Sequence, residues 1–294
     1  MDGFLNLNKP QNFTSHDCVA KLRKILKTKK IGHGGTLDPL ATGVLPIAIG
    51  KATRLLQFLP TAKAYQAKIR FGIVTTTDDL EGDIIKKTSA FDLTLEKITP
   101  YLKDFIGKIE QIPPAYSAIK QGGKKLYELA RKGQIIDIPK REVEITKIDI
   151  LHWHSGEFPE LDLQVFCGSG TYIRSLARDL GEKLGTGATL SSLNRTLSCG
   201  MDIENSLNFE EIIKQQEENK LSLINLDYPL QNLPIINLNE DESQRWCQGQ
   251  KIMSNEKNNE QFYRTYNYIS EFIGISELRI NEDVKLIKPK VVIL

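Results

Sequence analysis

No run of twenty apolar residues occurs in this 294-residue sequence, and the opening Met1-Asp2-Gly3-Phe4-Leu5-Asn6 lacks the basic, apolar and small-residue order of a secretory leader. Both absences speak against a membrane partner, and a cytoplasmic protein is expected. Cysteine is scarce too. Cys18, Cys167, Cys199 and Cys247 show no CxxC spacing, and four free thiols in a chain of this size suit a reducing compartment. His152 and His154 would share one strand face, but no third ligand is near them, so no metal is expected.

The sequence also lacks a complete dinucleotide-binding turn. Gly168-Ser169-Gly170-Thr171-Tyr172-Ile173-Arg174 follows an apolar strand and opens a helix, yet Ile173 stands where the third glycine is needed and no βαβ pattern surrounds it. A cofactor-dependent oxidoreductase has little support on that count. Nor is the overall charge strong, at +2. It is uneven, however: residues 1–199 hold 29 Lys and Arg against 21 Asp and Glu, whereas residues 200–294 hold 10 against 16. Met1 to Lys63 is the extreme, with ten basic and three acidic residues. Such a bias suits a polyanion partner, and equally a solvated basic helix face.

What the chain does contain is one carboxylate, Asp38, in the glycine-rich loop Gly32 to Pro46. Gly32, Gly34 and Gly35 free the backbone from β-carbon sterics, and Pro39 pushes Asp38 toward extended geometry. The apolar run Val44 to Gly50 that follows reads as a buried strand, so the acid sits where a loop enters the core. From the residues alone, a turn role for Asp38 is the commoner reading.

In chain order, Phe4 to Pro10 reads as a short strand, and Thr14 or Ser15 caps a helix with Val19, Leu22 and Leu26 on one face and lysines around it. Lys51 to Leu59 reads as a short amphipathic helix. Tyr65, Ala67, Ile69 and Phe71 alternate onto one strand face. Leu95 to Phe105 keeps helical spacing, with Pro100 either starting the helix or kinking it. Gln111 to Lys120 is a proline-stiffened loop, and Lys124 to Gly133 a basic helix. Strands near Val143–Leu151 and Leu161–Cys167 lead into a helix carrying Ile173, Leu176, Leu180 and Leu184. Arg174 in its first turn opposes the helix dipole and asks for a carboxylate or an anion. From Ile235 the pattern changes to short strands and one helix, a small β-rich module with a polar loop at Ser254 to Glu260.

The string His33 to Pro46, HGGTLDPLATGVLP, resembles the signature of the TruB family of tRNA pseudouridine synthases, and further segments are similar: Lys9-Pro10 with Thr14-Ser15, Lys63-Ala64-Tyr65, Thr75 to Gly82, Gln111 to Gly133, Gly168 to Arg174 and Leu190 to Arg195. The resemblance implies an α+β protein. Residues 1–234 would form a catalytic domain with a mixed, largely antiparallel sheet flanked by helices, and residues 235–294 a PUA-like domain. It implies uridine-to-pseudouridine isomerisation in the T-arm of tRNA at position 55, in a monomer needing no cofactor. Asp38 would be the catalytic carboxylate, Arg174 its ion-pair partner and Tyr65 the aromatic group against the target base. Leu193 would pack on that base, and His33 would occupy the space it vacates. Lys9, Lys120, Lys124 and Arg195 would contact RNA. Asn194 departs from the pattern, standing where a second basic residue is usual. Asp38 attack at C1′, attack at C6 and assistance in removing the 2′ hydrogen all fit these residues. A non-catalytic tRNA-binding or RNA-folding protein on the same scaffold is the alternative, and it would have no need of Asp38.

Overall fold

A computed structural model of the chain describes residues 1–116, 120–121, 124–125, 138–254, 259–281 and 284–293. The first half comprises β1 (Gly3–Lys9), α1 (Ser15–Ile25), β2 (Ile31–His33), β3 (Thr42–Ile49), β4 (Lys63–Phe71), the hairpin β5 (Ile73–Thr75) and β6 (Ile84–Lys87), α2 (Leu95–Leu102) and β7 (Gly107–Gln111). Then follow the short pair β8 (Lys120–Gln121) and β9 (Lys124–Lys125), β10 (Arg141–His154), β11 (Glu160–Cys167), α3 (Ile173–Lys183), β12 (Ala188–Ser198), β13 (Met201–Asp202) and α4 (Phe209–Glu217). Among the described residues nine of these strands form one sheet, ordered β1-β3-β12-β4-β11-β10-β7, with β2 on β3 and β13 on β12. Every pairing in it is antiparallel except β3 with β12, so the sheet is mixed and largely antiparallel as expected.

Register decides which side chains share a face. Tyr65 pairs with Arg195 and Arg195 with Gly43, so the series Gly43, Leu45, Ile47, Ile49 points to the same side as Tyr65. On that side Leu45, Ile47 and Ile49 pack against Val19 and Leu22 of α1, and Tyr65, Ala67 and Leu193 pack with Ile173, Leu176 and Leu180 of α3. Helices α1 and α3 therefore cover one face. Phe4, Val44 and Ala48 point the other way and meet Ile275, Val291 and Ile293 from the C-terminal end.

That end is a five-stranded sheet among the described residues, ordered β14 (Ile235–Asn237), β16 (Phe262–Tyr266), β17 (Phe272–Asn281), β18 (Val284–Val292) and β15 (Ile252–Met253), with α5 (Glu240–Cys247) beside it. Its own core is centred on the fully buried Trp246 and Tyr263, and the Trp246 indole donates to Ser276 Oγ at 2.9 Å. It is also tied to the preceding part of the chain by Arg54 Nη1 donating to the Val292 carbonyl and by the Tyr266 hydroxyl donating to Asp227 Oδ2.

Two local expectations change, and one choice is narrowed. Lys51 to Leu59 forms two 3₁₀ turns, Gly50–Arg54 and Leu56–Phe58, rather than an amphipathic helix, and neither turn has a side-chain N-cap to extend it. Lys124 and Lys125 pair with Lys120 and Gln121 as strand, so no helix starts there, and most of the expected basic helix lies outside the described residues. Of the two expectations for Pro100, that it starts the helix is ruled out. It lies inside the helix, where Thr99 Oγ1 donates to the Leu95 carbonyl.

Candidate active site

The loop carrying Asp38 is held from beneath by donors that have no other outlet. Ser15 Oγ, completely buried at the start of α1, accepts the Leu37 N–H at 2.8 Å and donates to the Leu37 carbonyl at 3.2 Å. Lys9 Nζ donates to the carbonyls of Pro10, Phe13 and Pro39 at 2.9, 2.6 and 3.4 Å. The Arg195 guanidinium donates to the carbonyls of Val44, Thr36 and Gly35 at 2.8, 3.3 and 3.2 Å. Gly43 must be glycine here: its φ is +99°, and a β-carbon would collide with the Arg195 carbonyl and Asn194 Oδ1. A loop supported this way keeps its shape without help from the Asp38 side chain.

Above it opens a cavity of about 220 Å³ lined by Asp38, Lys63, Tyr65, Thr171, Arg174 and Leu193 among others. Arg174 Nη2 lies 3.0 Å from Asp38 Oδ2, and Nη1 lies 3.4 Å from Asp79 Oδ2. The same two nitrogens donate to the carbonyls of Tyr116 and Thr77, both at 3.1 Å. Arg174 is thus pinned on both edges, and the cation that the helix dipole disfavours is compensated by two carboxylates. The start of α3 is itself anchored. Buried Gln111 accepts the Tyr172 N–H at 3.0 Å and donates to the Tyr172 carbonyl at 3.2 Å, while Ser175 Oγ donates to the Ile112 carbonyl.

The Asp38 carboxylate is enclosed by protein, yet 38% of its side-chain surface faces the open cavity. Enclosure pushes its carboxyl above the usual aspartate range; Arg174 opposes the rise, and Asp79 adds to it. Burial likewise raises the Tyr65 phenol, which stays neutral although Arg195 beside it favours the ionised form. Tyr65 and Leu193 lie on adjacent strands, in register with Arg195 and Ala67 respectively, so they are diagonal neighbours on the face that floors the cavity. Lys63 lines the cavity as well, its ammonium pushed below the ordinary lysine value by burial and then by the charge of Arg195.

The structure therefore brings Asp38, Arg174, Tyr65 and Leu193 together around one cavity. It does not place every expected RNA contact there. Lys9 and Arg195 are fully buried, with their cationic heads spent on backbone carbonyls, Arg195 on the Asp38 loop and Lys9 on Pro10, Phe13 and Pro39, so neither is presented to a phosphate. His33 is half-buried on β2 and is not among the residues lining the cavity. Lys120 and Lys124 lie on the β8–β9 pair, and their side chains are outside the described residues. Asn194 Oδ1 accepts the Thr42 hydroxyl at 3.2 Å, a link between the parallel strands.

Two residues of the site were not picked out by sequence. Lys63 was visible only as part of the Lys63-Ala64-Tyr65 motif. Asp79 stands in the similar segment Thr75 to Gly82, where no single residue is marked out. Its signal is a second acid in a threonine-rich turn: Asp79 is 2% exposed, and its Oδ1 accepts the Glu81 N–H, leaving Oδ2 for Arg174.

Residues 23–173 match the TruB family pseudouridylate synthase (N terminal domain), and residues 234–293 match pseudouridine synthase II TruB, C-terminal. The chain is 55% identical to the tRNA pseudouridine synthase B of Gloeothece citriformis over 300 residues, covering 100% of this chain and 97% of that protein. It is 52% identical to that of Microcystis aeruginosa, covering 100% and 99%. Among solved structures it is similar to one from a Cbf5-Nop10-Gar1 complex, with a TM-score of 0.74 and 27% identity over 98% of this chain and 83% of that one. It is also similar to one from an H/ACA RNP bound to a substrate RNA containing 2′-deoxyuridine, with a TM-score of 0.73 and 25% identity over 99% and 85%. With a site of this geometry, both parts matched and full-length relatives at this identity, the chain belongs to the TruB family of pseudouridylate synthases.

Proposed function

We propose that this protein isomerises uridine to pseudouridine at position 55 in the T-arm of tRNA, acting as a monomer with Asp38 as the catalytic carboxylate. Residues 1–234 would carry the chemistry and residues 235–294 a PUA-like module. The observation that carries the reading is the Arg174–Asp38 pair at 3.0 Å at the edge of a cavity floored by Tyr65 and Leu193.

The reaction breaks the N1–C1′ bond, turns the uracil and joins C5 to C1′, with the C5 proton leaving to solvent and N1 taking one up. No electrons or water enter the balance. The chain must supply an ionised carboxylate next to the sugar, an enclosed place for a base drawn out of its stack, and exclusion of water while the base is detached. Arg174 supports the first need, because a cation at hydrogen-bond distance favours the charged carboxylate and orients one oxygen. Tyr65 and Leu193 suit the second, one offering an aromatic face and the other an aliphatic edge to a planar base.

The deciding experiment is release of tritium from tRNA labelled at uridine C5 by the parent protein and by Asp38→Asn. The amide is nearly isosteric but is neither nucleophile nor base, so turnover should fall by several orders of magnitude with tRNA affinity retained. Turnover near the parent rate would leave a non-catalytic tRNA-binding protein as the better account.

A further inference from the structure

The sequence places one basic cluster well away from the cavity. Across residues 18–77 Asp38 is the sole acidic residue, whereas Arg23, Lys24, Lys27, Lys29 and Lys30 fall within eight positions. All five are exposed, and among the described residues no acidic side chain pairs with any of them. Arg23 and Lys24 close the last turn of α1, where cations complement the helix dipole. Lys27, Lys29 and Lys30 lie beyond the helix, and the dipole does not account for them. The Lys30 carbonyl accepts the Gly50 N–H at 2.8 Å, which brings Lys51 to the same corner. Asp2 is the acidic group that reaches it, and its Oδ1 is engaged by the Lys51 N–H at 2.6 Å. Like charges packed this closely repel one another and gain from a polyanion.

Geometry relates the cluster to the site. The first residue of α1, Ser15, is hydrogen-bonded to Leu37 next to Asp38. The helix then runs for 11 residues, about 16 Å at 1.5 Å per residue, to the basic end. Its packing on Leu45, Ile47 and Ile49 puts it on the face of the sheet that also carries Tyr65 and the cavity. A rigid element thus separates a reaction site from a row of unpaired cations by a set distance, on one side of the molecule.

We propose that this basic end of α1, with Lys24, Lys27, Lys29 and Lys30 as its main contacts, grips the phosphate backbone of the RNA helix that carries the target loop, about 16 Å from the uridine site. The inference rests on the reading of the cavity as a uridine site. Long flexible lysines suit this task, because they meet phosphates as point charges and need no base sequence. The contact would measure stem length and would not read sequence.

The test compares the parent with a variant carrying Lys24→Gln, Lys27→Gln, Lys29→Gln and Lys30→Gln. Circular dichroism and thermal melting would check that these four exposed substitutions leave the fold intact. Binding is measured against salt for two RNA hairpins that share one loop, one with a short stem and one with a stem extending beyond 16 Å. For the parent, the longer stem should bind more tightly, with a steeper salt dependence. The variant should lose about tenfold or more on the long stem, with a salt slope lower by roughly 0.7–0.9 per lost contact, and change less than about twofold on the short one. Equal losses on both hairpins, or an unchanged slope on the long stem, would overturn the proposal. Because the readout is binding, a protein that proved unable to isomerise uridine would still give a clear answer on the basic corner.

Discussion

Arg174 Nη2 sits 3.0 Å from Asp38 Oδ2, and the arginine is held so firmly by its other partners that the pair has little freedom to separate. Its remaining contacts, Asp79 and the carbonyls of Thr77 and Tyr116, come from two further loops. Asp38 is therefore positioned by a cation that the rest of the fold has already oriented.

Arg174→Lys keeps the charge but cannot span four acceptors from one ammonium. Charge-assisted hydrogen bonds contribute about 1.5–3 kcal/mol each, so loss of one from the transition state should lower kcat by about 10–100-fold. RNA affinity should change little. Single-turnover rates and equilibrium binding separate the two effects, and equal losses in both would mark Arg174 as a phosphate contact.

Enclosure holds the Asp38 carboxyl above the ordinary aspartate value of 3.8, so kcat/KM should fall on acidification with a midpoint above that value. Arg174→Gln removes the opposing cation and should move the acid limb further up. The same shift has a sign for stability. A carboxyl raised on folding favours its protonated form, so ionised Asp38 subtracts from stability above the folded pKa, and the penalty fades as pH falls toward the unfolded value. Asp38→Asn should accordingly keep or raise the melting temperature at neutral pH. A clear fall would mean that the carboxylate holds the loop.

Lys9→Met fills the same space and removes the donor from three carbonyls, those of Pro10 and Phe13 before α1 and that of Pro39 in the Asp38 loop. The Pro39 carbonyl keeps the Asn12 N–H at 2.9 Å, whereas those of Pro10 and Phe13 are stranded at roughly 1–3 kcal/mol each, so denaturant melts should show a clear loss of stability. The slope of RNA affinity against salt should be unchanged in the folded variant. A shallower slope would restore Lys9 as a phosphate contact.

Removal of residues 235–294 should destabilise what remains, because Ile275, Val291 and Ile293 cover Phe4, Val44 and Ala48 on the back of the larger sheet. The truncated protein should melt at lower temperature or aggregate. Unchanged melting of residues 1–234 would show that these contacts add nothing to the fold.

Much of the fold was legible because its signals are local. Alternation in Tyr65 to Phe71 gave the strand and its buried face, and the spacing of Ile173, Leu176, Leu180 and Leu184 gave α3. The opposition between Arg174 and the helix dipole pointed to a carboxylate partner, and two are present. The surroundings of Lys9 and Arg195 were not legible, for the converse reason. A basic residue in a motif looks the same in sequence whether its charge meets a phosphate or a row of backbone carbonyls.

The sequence by itself determined the family and the strand and helix that carry Tyr65 and Arg174, since motif spacing and hydrophobic period are properties of short stretches of chain. Only the tertiary structure decided which charges are spent inside and which remain for a ligand. Burial of Lys9 and Arg195, and selection of Asp79 as the second acid on Arg174, follow from strands and loops distant in sequence closing on one another. The free energy of a charge depends on the surroundings that such closure creates.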